Sequence, residues 1–221
     1  MSKIDLTNIT LWCLNGVDPA AGVRALRYSM KDIQFKRSIL FSHIEPNNLT
    51  QDIEFVKIDN MDHNLSSYFS MKGIHPYIDT EYSLSIHDDG FVINPHLWDP
   101  TWLDYDYIGA PWAVGHVHRV GNGGFCLKSK KFIDICQTIP WNGEHDDTHT
   151  CMTYHDYFVS QGCKFAPVEV AMKFSLESKI PECEYNLDNC FGFHGRGEVA
   201  YVFQDGGQQF KDKIKLLDIF K

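Results

Sequence analysis

The sequence predicts a single α/β domain with a central, mostly parallel sheet flanked by helices, and three observations carry that prediction. The chain opens with three short β-type runs, ITLWCLNG (9–16), RSILFS (37–42) and IEFVKI (53–58), with a helix between the first two. That β-α-β-β order belongs to sheets whose crossover helices cover them. No repeat or linker-like break divides residues 1–221, which therefore read as one domain long enough to bury a substantial core. Polar and small residues (Asn15, Gly16, Ser42, His43) also collect where these strands end. In parallel sheets that carboxyl edge is where ligands gather.

The elements follow in order. Asp18 and Pro19 form an N-cap and first-turn proline, so Ala20 to Ile33 reads as a helix. Residues 64–73 read as a short helix before two apolar runs, Leu84–Ile86 and Phe91–Ile93, that flank His87-Asp88-Asp89-Gly90. Asp-Gly between β-type runs predicts a hairpin. Adjacent carboxylates also call for a cation or open water nearby. The stretch 95–112 is a long loop rich in proline and aromatics, and Trp98 and Trp102 read as core. GNGGFCLKSKKFIDICQTI (121–139) reads as a glycine turn feeding a strand and a helix. A further helix spans about 148–160, with Asp146 and Asp147 at its start and Gly162 at its end. A strand and a short helical piece follow over 164–178, then a glycine-rich loop over 191–197 and an amphipathic helix over 208–220.

Composition narrows the function. A formal charge of −9 and a pI near 5.6 leave no basic stripe for nucleic acid, and the lysines at 128–131 and 211–215 form only short, mixed clusters. No apolar run approaches the roughly 20 residues of a membrane span, and the N-terminus has no export signal. Seven cysteines, odd in number and without a C-x-x-C pair, indicate free thiols. Together these predict a cytoplasmic protein. An anionic ligand would then need locally supplied positive charge, for which a divalent metal serves.

Three constellations can carry chemistry. Gly121-Asn122-Gly123-Gly124 lets backbone approach a ligand, or is simply a tight turn. Asp146-Asp147 at a helix start is either a cap or a carboxylate base kept ionised by the helix dipole. His194 sits between Gly192 and Gly195 with room to reach into a site.

In this order and spacing, FSMKGIHPYIDTEYSLSIHDDGFVINPHLWDP, LDYDYIGAPW, GNGGFCLKS, EHDD, KFAPVEVAMKFSLE and FGFHG resemble a GT-A-type glycosyltransferase. The chain is most similar to a poorly characterised glycosyltransferase-like family of bacteria, eukaryotes and large viruses, over about residues 5–197. The resemblance implies a nucleotide-diphospho-sugar transferase sandwich. In it an acidic motif after a strand holds Mn²⁺ or Mg²⁺ on the diphosphate of a nucleotide sugar, with a UDP-sugar favoured, and a glycan or other hydroxyl is the acceptor. The family motif has an acid, any residue, then an acid. Here His87 takes the first place, so Asp89 matches as the metal-contacting acid, with His87 and His194 as further metal ligands. By the same match Asp147 is the first candidate for the catalytic base of an inverting transfer and Asp146 the second. Asn15, Lys72, Asp88, Gly123 and Gly124 fall to the donor. Two alternatives remain: a GT-A module that binds nucleotide or glycan without turnover, and a non-haem iron oxygenase using His87, Asp89 and His194 with Arg196 nearby.

Overall fold

A computed structural model describes residues 3–195. The helix expected over 208–220 and Arg196 lie outside them. Strand β1 (Ile4–Leu14) runs at the middle of a six-stranded sheet, followed by helix α1 (Pro19–Ser29), β2 (Ile33–Ser42) and β3 (Glu54–Lys57). Next come α2 (His63–Tyr68), continued by a π-helical turn over Phe69–Gly73, and β4 (Tyr82–Ile86). Strands β5 (Tyr107–Ile108) and β6 (Cys126–Ser129) precede α3 (Lys130–Cys136), α4 (Asp146–Thr148), α5 (His155–Ser160) and α6 (Val168–Phe174). A separate two-stranded sheet pairs β7 (Ser175–Leu176) with β8 (Gly192–Phe193).

The sheet order is β3-β2-β1-β4-β6-β5, parallel through β4, with β6 antiparallel to both its neighbours. Alternation along β1 feeds two cores. Ile9, Leu11 and Cys13 join Val23, Ala25 and Leu26 of α1 on one face. Trp12 points to the other, against Ile39, Phe41, Phe69 and Ile133. The Asp18 carboxylate accepts from the Ala21 N–H at 3.0 Å, and Pro19 opens the first turn, as the sequence predicts. Helix α1 nonetheless stops at Ser29 instead of continuing to Ile33. Ile33 pairs with Ile4 in the sheet, and that ladder outweighs one more helical turn.

The expected hairpin forms only at its tip. His87 and Gly90 bridge, but the chain then leaves β4: Val92 bridges to Gly192, and the Ile93 N–H bonds to the Phe191 carbonyl at 2.9 Å. The reason is occupancy. β4 already has β1 on one side and β6 on the other, so the second apolar run must find another edge. In the 95–112 loop, Trp102 is core, buried and packed edge-on against Trp98 and Phe174, while Trp98 is half-buried and packs against that core. The run 164–178 is mainly α6 followed by β7, the strand expected at its start being reduced to a single Tyr107–Phe165 bridge. The helix expected over 148–160 is broken at Tyr154 into a π-helical turn over His149–Thr153 and α5.

Gly109, just after β5, has no room for a side chain: a Cβ there would lie 1.8 Å from the Gly121 carbonyl oxygen. Backbone cannot yield as a side chain can, so Gly109→Ala is expected to cost about 3 kcal/mol, the upper end for overpacking, in a urea titration. Gly16→Ala, where the nearest atom would be 3.8 Å away, is expected to stay within about 1 kcal/mol of the parent protein.

Candidate active site

The acidic turn follows directly from the end of β4. The His87 N–H donates to the Gly90 carbonyl at 2.9 Å, and the Gly90 N–H donates back to the His87 carbonyl at 3.2 Å. Neither aspartate has a positive φ, so the turn does not exploit Asp-Gly in the usual hairpin manner. Gly90 is required for another reason: a Cβ would lie 2.8 Å from His194 Cδ2 and 3.0 Å from the Phe193 carbonyl oxygen. The end of β8 thus lies directly on the acidic turn, and the Gly195 N–H donates to the Asp89 carbonyl at 2.9 Å.

This packing brings His194 to its site. Its ring meets that of His87 edge-on at 5.2 Å, and its Nε2 is 3.7 Å from Asp89 Oδ1. One ligand atom each from His87, Asp89 and His194 lies within 4.8 Å of the others. His194 Nδ1 is 3.1 Å from Glu177 Oε1 and also 3.1 Å from Asn122 Nδ2. Both contacts cannot be hydrogen bonds to one tautomer. The charged carboxylate takes the Nδ1 proton, which leaves the Nε2 lone pair on the Asp89 side. Metal-binding histidines are commonly oriented in this way, by a carboxylate behind the ring. Burial, reinforced by His194, lowers the His87 pKa to about 4 and keeps that imidazole neutral, as a ligand must be. Burial would also depress His194, but the Glu177 hydrogen bond and the charges of Asp89, Glu177 and Asp147 hold its pKa above the ordinary value. Two imidazole nitrogens and one carboxylate oxygen fit Mn²⁺ better than Mg²⁺, which prefers an all-oxygen shell.

Each residue of the Gly121–Gly124 turn has its own physical reason. The Trp112 ring covers Gly121, where a Cβ would lie 2.0 Å from it. Asn122 adopts φ 71, a left-handed value asparagine tolerates, and its Oδ1 accepts from the N–H groups of Gly124 and Phe125 at 3.0 and 3.3 Å. The Gly123 N–H donates to Asp147 Oδ2 at 3.1 Å, and a Cβ on Gly123 would be 2.9 Å from Asp146 Oδ2. A Cβ on Gly124 would lie 2.0 Å from His194 Nε2. The buried Tyr107 hydroxyl anchors the turn from β5, donating to the Asn122 carbonyl at 2.9 Å. One turn therefore touches both the acidic pair and the histidine.

Asp146 and Asp147 occupy the helix start expected of them, but their environments differ. Asp147 is half-buried, with one oxygen on Gly123 and the other on the Thr148 N–H at 2.6 Å. Asp146 turns inward to Lys128, whose Nζ lies 3.4 Å from its Oδ2. Their side chains are only 16% and 5% exposed, so this is a buried ion pair. Burial works against the Lys128 ammonium, but the facing Cys126 and Asp146 groups outweigh it and keep it protonated. Burial raises the Asp146 pKa, while Lys128 pulls the other way.

Lys128, which the sequence presents as part of a short, mixed lysine cluster, is an interior residue. Its signal was a lone charge inside the strand run FCLKS, on the same face as Cys126. Glu177 ends the motif KFAPVEVAMKFSLE but takes no role from the sequence pattern; the pairing of β7 with β8 brings it to His194.

Asn15 lies at the end of β1, its Oδ1 accepting from the Val17 and Asp18 N–H groups at 3.0 and 2.8 Å. Asp88 shares the acidic turn, and its charge reaches Cys13 of β1. Lys72 is not brought to the cluster by any of its contacts: its ammonium donates to the Gln137 and Ile139 carbonyls beyond α3.

A family model described as "Protein of unknown function (DUF5672)" matches residues 56–194, which include the acidic turn, the glycine turn, the acidic pair and His194. The chain belongs to this family. A search of curated proteins gives no match. Among solved structures, the chain is similar to a glycosyltransferase involved in the glycosylation of the major capsid of PBCV-1. That match has 16% identity and a TM-score of 0.52, covering 86% of this chain and 93% of that one. It is also similar to an active-site mutant of the galactosyltransferase LgtC, at 12% identity and a TM-score of 0.50, over 93% and 95% of the two chains. These likenesses establish the GT-A fold for this DUF5672 member.

Removing one partner of the Lys128–Asp146 pair strands the other charge in the interior. Lys128→Met is expected to lower the unfolding free energy by about 3–5 kcal/mol. Adding Asp146→Asn should recover most of that loss, because the double variant buries no charge. Urea titration of the parent, the two single variants and the double variant measures both effects.

Proposed function

We propose that the chain is a glycosyltransferase that moves a sugar from a nucleoside-diphosphate sugar to a hydroxyl acceptor, with inversion at the anomeric carbon. One observation carries this reading: the Gly121–Gly124 turn joins the base candidate Asp147 to the His87–Asp89–His194 cluster at the carboxyl end of β4. That edge is where an open α/β sheet takes its ligand. His43, at the end of β2, adds a buried Nδ1 with no hydrogen-bond partner among the described residues, a group suited to the nucleotide. Asn15 and Asp88 border the same edge.

In the reaction, Asp147 takes the proton of the acceptor hydroxyl while that hydroxyl's oxygen forms a bond to the anomeric carbon. The bond from that carbon to the diphosphate oxygen breaks, and the electron pair leaves with the diphosphate. The Gly123 N–H holds one Asp147 oxygen in place during this step, and the Lys128–Asp146 pair fixes the preceding residue. A divalent cation held by His87, Asp89 and His194 supplies positive charge for the diphosphate when bound. Glu177 holds the Nδ1 proton of His194 so that Nε2 stays free as a ligand.

The oxygenase alternative uses the same two histidines and carboxylate, but its chemistry belongs to an antiparallel barrel. This sheet is open and parallel through four strands. The UDP-sugar class is the first donor to test.

The deciding experiment pairs binding with turnover. UDP-, GDP-, dTDP- and CMP-sugars are screened by thermal shift with and without Mn²⁺, since a ligand at 100 times its dissociation constant adds about 2.7 kcal/mol. The stabilising donor is then given to the parent and to Asp147→Asn. The parent should turn the donor over, and Asp147→Asn should lose at least about 100-fold in kcat while keeping donor affinity. Binding without turnover by the parent would make the protein a binding module. Equal turnover by both proteins would remove Asp147 from the mechanism, and NMR showing a product with the donor's anomeric configuration would remove inversion.

A further inference from the structure

A second group of ligating side chains lies away from the acidic turn. After Trp112 the chain makes an excursion over residues 113–119, closed at its base by the Pro111–Val120 bridge and a 2.8 Å bond from the Trp112 N–H to the Arg119 carbonyl. His118, near the end of this loop, stacks on His155, the first residue of α5, with ring centroids 3.4 Å apart and planes at 15°. The Asp156 carboxylate closes the group: its Oδ1 is 3.2 Å from His155 Nδ1 and 3.8 Å from His118 Nε2. One ligand atom of each residue lies within 4.8 Å of the other two.

The surroundings hold the His155 ring in place, and the His118 ring rests on it. The His155 ring packs against Phe165 at 4.4 Å, and its side chain is 17% exposed; that of His118 is 24% exposed. Asp156 is 94% exposed, so the group opens to solvent on its carboxylate side. The nearest arginine in sequence, Arg119, is paired with Glu182 and so does not neutralise Asp156.

We propose that His118, His155 and Asp156 form a second divalent-metal site, selective for zinc-class ions and separate from the His87–Asp89–His194 cluster. Two imidazole nitrogens and a carboxylate oxygen, with a fourth position open to water, are the ligand set that Zn²⁺ and Co²⁺ take in tetrahedral geometry. Metal–ligand bonds of about 2.0–2.2 Å put ligand atoms roughly 3.3 Å apart. The 3.2 Å pair already meets that spacing. Ring-nitrogen lone pairs lie in the ring planes, so binding turns the His118 ring out of its 15° stack on His155 to aim Nε2 at the ion and close the 3.8 Å pair. Mg²⁺ and Ca²⁺, which want oxygen shells, are poorly served here.

An ion at this position ties the 113–119 loop to α5. The loop leaves from Trp112, whose ring covers Gly121, so a bound ion braces the glycine turn from outside. This inference stands whether or not the chain transfers sugars, because it concerns metal binding alone.

The test is a Zn²⁺ titration of the full chain in competition with a chromophoric chelator, in a His87→Ala background that disables the first cluster. One equivalent is expected to bind in that background and to be lost in His87→Ala/His155→Gln. Co²⁺ should give visible tetrahedral absorption in the former and none in the latter. Asp156→Asn, at an exposed position that leaves folding intact, should weaken Zn²⁺ binding at this site by tenfold or more in the otherwise unaltered protein. Unchanged stoichiometry and affinity in both the His155→Gln and Asp156→Asn proteins would overturn the proposal. So would the absence of any bound equivalent in the His87→Ala protein when its circular dichroism matches the parent.

Discussion

The structure depends on a set of close approaches that only hydrogen in place of a side chain permits. Gly90, Gly124 and Gly192 each sit where a Cβ would fall 2.8 Å or less from a ring atom, of His194 in the first two cases and Phe125 in the third. These contacts press three segments together that are far apart in sequence: the acidic turn after β4, the glycine turn before β6 and the end of β8. Protein interiors are packed as densely as organic crystals, so one added methyl at such a junction must move backbone or expel the imidazole. The glycines are therefore as much a part of the candidate site as the groups that carry charge.

Electrostatics then divides the labour among the acids. Asp146 is turned inward and neutralised by Lys128, while Asp147, one residue on, keeps its oxygens on backbone N–H groups at the surface of the site. A buried ion pair adds little net stability compared with an apolar substitute, because both ions lose their hydration. Its use here is geometric, since it pins the residue beside the base candidate. Glu177 does the same for His194 from behind, fixing which ring nitrogen carries the proton. His149, a few residues on, is fully buried between the Glu144 carboxylate and the Pro140 carbonyl and secures the loop from which the acidic pair emerges.

Topology accounts for the location of the cluster. Because β1 to β4 are all parallel, their carboxyl ends meet on one edge, and Asn15, His43 and the acidic turn arrive there together. The antiparallel insertion of β6 brings the glycine turn, which precedes it, to the same edge. The apolar run at 91–93, excluded from β4 by neighbours on both sides, pairs with residues 191–192 and draws His194 in.

The amino-acid order by itself determined the α/β class, the parallel opening, the capped start of α1 and most of the candidate site residues. Those features are written locally: period-two apolar runs, Asp-Pro at a helix start, and glycine and acid clusters at strand ends. The meeting of His87, Asp89 and His194 was legible because a metal-ligand chemistry and a family pattern both single them out as candidates. Only the tertiary structure decided the rest. Lys128 and Lys72 are both lysines beside apolar residues, yet one is buried against Asp146 and the other caps α3, because side-chain direction depends on strand register and helix packing. Helix α1 ended early, and the hairpin stopped at its tip, because strand pairing partners lay elsewhere in the chain. Glu177 and the His118–His155 stack arise from contacts between distant segments. No local pattern encodes which segments meet; that follows from filling every edge and face of one sheet.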